Sequence, residues 1–217
     1  MTIGYRALLV DFGGVLTTPI FDSFAAFCLE HEVDPSLLKT FLRSAFEATD
    51  DVSPVHLLET GQLDPVEWDR QLADAVSVGR ESPIDHINLK QRLFAGIRPE
   101  PAMVMAVKLL RDAGAKTGLV SNSWGRDGYP RETFEDLFDT VVISGEVALR
   151  KPDPEIYLMA AKKLGVPPEQ CVFVDDFKVN VEGAEAVGMK GVLHKEVDRS
   201  LSILSELFEE DLQELAS

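Results

Sequence analysis

Five short runs, Ala7 to Asp11, Thr117 to Ser121, Thr140 to Ser144, Cys171 to Asp175 and Gly191 to His194, are rich in valine, leucine and other apolar residues at consecutive positions. A strand that is apolar on both faces has to be covered on both faces, which points to a parallel sheet rather than a meander with one wet side. Between the later runs lie stretches of helical period, Pro101 to Ala113, about Arg131 to Leu137, Pro154 to Leu164 and Lys178 to Val187. Strands alternating with helices of this length build βαβ units. The expected fold class is therefore α/β, a doubly wound, Rossmann-like parallel sheet.

The stretch from 17 to 95 breaks that alternation. It contains no convincing strand, and Asp34-Pro35, Asp64-Pro65 and Ser82-Pro83 each place a capping residue before a proline at a first helical position. Leu37, Leu38, Phe41 and Leu42 share one helical face, as do Trp68, Leu72, Ala75 and Val76. The expected organisation is a core domain from residues 1–16 and 96–217 with an α-helical cap domain, 17–95, inserted after the first strand. Near the end, Leu201, Leu204, Leu207, Phe208 and Leu212 recur at helical spacing within Arg199 to Leu215 and read as a helix docked on the core.

Charge narrows the partners. The 217-residue chain has 37 acidic against 21 basic side chains, a net charge of −16, so its long-range field repels nucleic acid and anionic membranes. Within 17–95, fourteen acids face six bases. The two cysteines, Cys28 and Cys171, lie in apolar surroundings without metal or redox spacing and read as buried free thiols, which suits a reducing cytoplasm. No apolar run approaches ~18 residues and no basic-then-apolar leader precedes the first strand, so the expectation is a cytoplasmic protein with no membrane segment. The four histidines are scattered and imply surface or structural roles. Monomer and homodimer are equally compatible with the sequence.

In open α/β sheets, ligands bind outside the carboxyl ends of the strands. Four such ends carry polar residues here: Asp11 after the first, Ser121-Asn122-Ser123 after the second, Lys151 beyond the third, and Asp175-Asp176 at the fourth. A hard cation such as Mg²⁺ takes one or two protein carboxylates and other oxygens. Asp11, Asp176 and the backbone carbonyl of Gly13 are candidate ligands, with Asp175 beside them as a ligand or a supporting acid. An ionised Asp11 can act as a nucleophile, while Ser121 and Lys151 supply a hydroxyl and a point charge for a transferring phosphoryl group. Trp124, just past the serine motif, is a candidate for lining the pocket or packing under the cap.

The motifs VDFGGVL (10–16), LVSNSW (119–124), RKPDPEIY (150–157) and VFVDDFKVNVEGAEAVGM (172–189) together resemble the haloacid dehalogenase superfamily. The nearest likeness is to subfamily IA and, within it, to phosphatases similar to the N-terminal domain of soluble epoxide hydrolase; GQLDPVEW (61–68) resembles a cap segment of that subgroup. The resemblance implies a Mg²⁺-dependent phosphatase that acts on a small phosphorylated metabolite through a phosphoaspartyl intermediate on Asp11. It implies phosphate binding and substrate orientation by Ser121 and Asn122, charge balance by Lys151, metal binding by Asp176 with Asp175 adjacent, and support of that loop by Asn180. One position departs from the pattern: Gly13 stands where such phosphatases usually carry a second aspartate that protonates the leaving oxygen. Three readings therefore stay open. The first is a phosphatase whose acid comes from water or a cap side chain, or whose substrate has a good leaving group. The second is a sibling hydrolase, for which phosphonate cleavage would use Lys39 in the cap. The third is a catalytically impaired protein that binds a phosphate ligand.

Overall fold

The computed structural model describes residues 4–47, 53–125 and 129–216. In chain order the elements are β1 (Ala7–Val10), α1 (Ile20–Glu30), α2 (Pro35–Glu47), α3 (Pro54–Glu59), α4 (Pro65–Val76), α5 (Leu89–Leu93), α6 (Pro101–Asp112), β2 (Lys116–Ser121) and α7 (Arg131–Leu137). They continue with β3 (Thr140–Ile143), α8 (Ser144–Val147), α9 (Pro154–Leu164), β4 (Cys171–Asp175), α10 (Lys178–Ala186), β5 (Lys190–Leu193) and α11 (Val197–Phe208). The five strands form one parallel sheet in the order β3-β2-β1-β4-β5. All five expected strands are present within a residue or so at each end.

Side chains alternate across a strand, so each strand feeds two cores. Leu8, Val10, Leu119, Val172 and Val174 meet α6, α7 and α11 through Met103, Leu110, Phe134 and Leu201. Leu9, Val120, Val142 and Phe173 point the other way and pack on α9 and α10 through Ile156, Tyr157, Ala160 and Ala184. The doubly wound layer arrangement follows from strands with no polar face to leave in water. The C-terminal leucine stripe docks on the first core as expected, with Leu201, Leu204 and Leu212 buried. Its helix stops at Phe208, because Glu209 turns left-handed (φ 58°) and Ser205 collects the following chain by accepting from Glu210 at its carbonyl and from Leu212 at its hydroxyl.

Residues between β1 and α6 bury a third cluster of their own, centred on Phe24, Phe27, Leu58, Trp68, Leu72 and Leu93. The chain enters and leaves this helical lobe side by side: Thr17 bridges Pro99 in antiparallel fashion, Thr18 N–H donates to the Arg98 carbonyl at 2.8 Å, and Glu100 N–H donates to the Leu16 carbonyl at 2.8 Å. Asp34 and Asp64 precede helices as expected, and Asp64 accepts from Val66 and Glu67 N–H. The third capping signal fails. No helix follows Ser82-Pro83, because Ile84 N–H is taken by the Ser77 hydroxyl and Asp85 takes Ile87 N–H in a local turn, so the helix waits until Leu89. No described helix is long and apolar enough to cross a membrane. Both cysteines are free and buried.

Candidate active site

The strand order reverses direction of growth at β1, whose neighbours are β2 and β4. Val10 pairs with Val174, which puts the next residues, Asp11 and Asp175, side by side at the carboxyl edge of the sheet. This is the crevice where an open α/β sheet places its ligands. Lys151, reaching in from the loop before α9, is fully buried, with Nζ 2.8 Å from Asp11 Oδ1 and 2.6 Å from Asp175 Oδ2. A buried ammonium persists only where it is paired, and the two carboxylates hold its pKa above the ordinary lysine value despite desolvation.

The acids differ in their partners. Asp175 accepts from Lys151 Nζ, from Phe177 N–H at 2.8 Å and from Asn180 Nδ2 at 3.0 and 3.1 Å, so its carboxylate is committed to protein donors. Asp176 is not: its Oδ1 is buried without a hydrogen bond among the described residues. Oxygen atoms of Asp11, Asp175 and Asp176 lie within 4.8 Å of one another. Burial pushes Asp11 up to about 6, with Asp175 adding to the rise and Lys151 opposing it. Burial, reinforced by the charges of Asp11 and Asp175, pushes Asp176 up to about 7.

The turn after β1 explains its glycine pair. Gly14 has φ +74°, and a Cβ there would fall 2.5 Å from Asp176 Oδ2, so only glycine leaves this carboxylate its place. At Gly13 a Cβ would meet Ile20 Cγ2 of α1 at 3.2 Å, and no described residue donates a hydrogen bond to the Gly13 carbonyl. That carbonyl, the orphaned Asp176 Oδ1 and Asp11 form an all-oxygen set that fits a hard divalent cation.

Above the crevice a cavity of about 980 Å³ separates the sheet edge from the helical lobe. Asp11, Gly13, Asn122, Trp124, Lys151 and Asn180 line it; Ser121, Asp175 and Asp176 lie behind that lining. Asn122 has both amide groups on the lysine loop, donating to the Lys151 carbonyl at 3.0 Å and accepting from its N–H at 2.8 Å. The Ser121 hydroxyl accepts from Tyr129 at 3.0 Å. Asn180 Nδ2, in the first turn of α10, donates to both oxygens of Asp175. Trp124 both lines the cavity and packs, with ring centroids 5.2 Å from Phe94, 5.9 Å from Trp68 and 6.0 Å from Phe24. Lys39 lies elsewhere, on a separate cavity of about 400 Å³ between α1 and α2.

A family model for haloacid dehalogenase-like hydrolases matches residues 5–188, most of the chain and every residue of this site. The chain belongs to that family. Among curated relatives of this hydrolase, bifunctional epoxide hydrolase 2 of Mus musculus is 27% identical over 93% of this chain and 38% of its own length. The chain thus spans under two fifths of that enzyme. Sesquiterpene phosphatase astK of Aspergillus oryzae is 28% identical over 88% of this chain and 91% of its own. A HAD family enzyme from Bacteroides thetaiotaomicron, solved in complex with magnesium and inorganic phosphate, superposes with TM-score 0.61 at 20% identity, covering 88% of this chain and 95% of that one.

Four residues of this hydrolase's site carried no readable signal. Tyr129, Glu59, His56 and Arg150 all line the cavity. Arg150 sits inside a quoted motif but without a partner in sequence. Its Nε donates to Glu59 Oε2 at 2.7 Å across 91 residues, a pairing that no local pattern announces. His56 and Glu59 come from one turn of α3, whose six residues show too little periodicity to reveal a face.

Proposed function

We propose that this chain is a Mg²⁺-dependent phosphatase whose nucleophile is Asp11. The observation that carries the reading is Lys151, wholly buried between Asp11 and Asp175 at the switch point of the sheet, beside an Asp176 oxygen that has no protein partner. Asp11, Asp176 and the Gly13 carbonyl would hold the cation, which when bound neutralises charge on the phosphoryl oxygens. Asp175 positions Lys151 and the start of α10 rather than binding metal. Asp11 attacks phosphorus as the ester oxygen departs, and water then cleaves the phosphoaspartate. Lys151 and the Ser121 hydroxyl hold the phosphoryl oxygens. Tyr129 donates to Ser121, which leaves the serine proton free to point at the substrate. Asn122 fixes the lysine loop.

The helical lobe, residues 17–95, acts as the cap, joined to the core by the paired segments at Thr17 and Pro99. Phe94 of the lobe and Trp124, Tyr129 and Phe177 of the core line the cavity, which has room for a leaving group far larger than a triose. We therefore assign a phosphomonoester of a bulky apolar or aryl alcohol, a reading supported by the relative named as a sesquiterpene phosphatase. Such aryl groups also leave without much protonation, which suits the glycine at position 13. For the phosphonate alternative, Lys39 lies off this cavity, whereas Lys90 at the exit of the lobe lines it.

The test is phosphate release from aryl, prenyl and sugar phosphates, with and without Mg²⁺. Turnover of the apolar esters is expected to require Mg²⁺ and to disappear in Asp11→Asn, a loss of at least about 10³-fold for a missing nucleophile. Activity surviving in Asp11→Asn overturns the nucleophile. Rapid hydrolysis of sugar phosphates with apolar esters untouched overturns the substrate class.

A further inference from the structure

Gly13 has no side chain and cannot be the source of a proton. A Cβ there would lie 3.2 Å from Ile20 Cγ2 of α1, so an acid at this position would require Ile20 to shift. The same cavity holds a different carboxyl group. Glu59, the last residue of α3, has a side chain only 4% exposed, and it lines the cavity that Asp11 and Lys151 line. Its backbone is anchored to the core, since its carbonyl accepts from the hydroxyls of Ser123 and Ser144. This fixes α3 at the mouth of the sheet. Arg150 Nε donates to Oε2 at 2.7 Å. One carboxyl oxygen is thus held, which orients the group as a proton donor must be oriented.

We propose that Glu59 is the general acid and base of this site, supplied by the cap in place of the residue missing at Gly13. The proposal rests on the phosphatase reading above. In the first step the ester oxygen leaves phosphorus as Asp11 bonds to it, and the proton of Glu59 passes to that oxygen. In the second, the Glu59 carboxylate takes a proton from water while the water oxygen bonds to phosphorus and the bond to Asp11 breaks. Phosphate departs and Glu59 is again protonated.

The groups facing Glu59 make this assignment consistent. Burial raises its pKa and the charge of Asp11 raises it further, while Arg150 and Lys151 pull it down; the net shift is upward, toward the neutral acid. Tyr129 also feels the Glu59 charge across the cavity, and His56 stands one turn earlier on the same helix.

Leaving-group dependence is the readout that a merely structural ion pair would not move. Glu59→Gln keeps an acceptor for Arg150 and removes the proton. Its kcat on 3-phenylpropyl phosphate, a poor leaving group, should fall about 10²–10⁴-fold, the usual contribution of a general acid, while 4-nitrophenyl phosphate loses less than about tenfold. Any decline of alkyl-ester hydrolysis with rising pH that comes from ionisation of Glu59 should disappear with it. Equal losses on both esters, no loss on either, or the same selective loss in His56→Gln instead would overturn the assignment. Should Glu59→Gln not fold, Glu59→Asp decides: a steeper dependence on leaving-group pKa than wild type supports the role, and an unchanged one refutes it. A wild-type protein inert on both esters defeats the phosphatase reading together with this one, whereas selective failure in the Glu59 variants leaves Asp11 and the phosphatase intact.

Discussion

Lys151 shows how much a single buried residue decides here. Its ammonium has no exposed surface and stands between two carboxylates, so removing it strands two charges in a low-dielectric site. Lys151→Met is expected to destabilise the fold by about 3–5 kcal/mol, measured by urea unfolding near neutral pH, as well as to abolish turnover. An unchanged unfolding midpoint would mean that the pair is far better solvated than its burial implies. The sequence made Lys151 a candidate only in the company of Asp11, Ser121 and the Asp175-Asp176 pair at the other strand ends, since a loop lysine by itself is ordinarily solvated. The division of labour between Asp175 and Asp176 could not be read from two adjacent aspartates. It follows from direction: Asp175 ends β4 pointing at Lys151, while Asp176 begins the turn and faces Gly14.

At the level of elements, proline-preceded caps are readable when nothing nearby competes for the same backbone. Asp64 satisfies two N–H groups at the start of α4, and this helix carries Trp68 and Leu72 into the centre of the lobe. Asp64→Ala should therefore lower stability by about 1 kcal/mol, visible as a lower thermal midpoint, with little change in kcat because Asp64 does not line the cavity. A change in KM with unaltered stability would instead make α4 part of substrate recognition. Ser82-Pro83 carries the same local signal and starts no helix, since Ser77, seven residues from Ile84, offers the competing hydroxyl. A pattern confined to three or four residues cannot contain that contact.

For the molecule as a whole, the acidic pair couples stability to pH and to metal. Asp11 is raised from 3.8 to about 6 and Asp176 from 3.8 to about 7, so the folded state binds protons that the unfolded chain has already released. For acids shifted upward, ionisation is disfavoured in the fold, and stability falls as pH rises from about 4 through 7. A cation that binds the ionised pair reverses this penalty. Without divalent cations the contribution of this site should lower the thermal midpoint between pH 5 and pH 8, and added Mg²⁺ should raise the midpoint more at pH 8 than at pH 5. An equal Mg²⁺ effect at both values would show that the cation does not compete with protons at these carboxylates.

The amino-acid sequence alone determined the parallel sheet, the inserted helical segment and the positions of Asp11, Lys151 and Asp176, because two-sided apolar strands and polar strand ends are patterns that neighbours along the chain spell out. Tertiary structure alone decided that Glu59 meets Arg150, that Tyr129 reaches Ser121 and that Ile20 comes close beside Gly13. These are contacts between residues whose local surroundings are ordinary. Their chemistry arises only when burial removes water from both partners at once, and burial belongs to the folded chain rather than to any stretch of it.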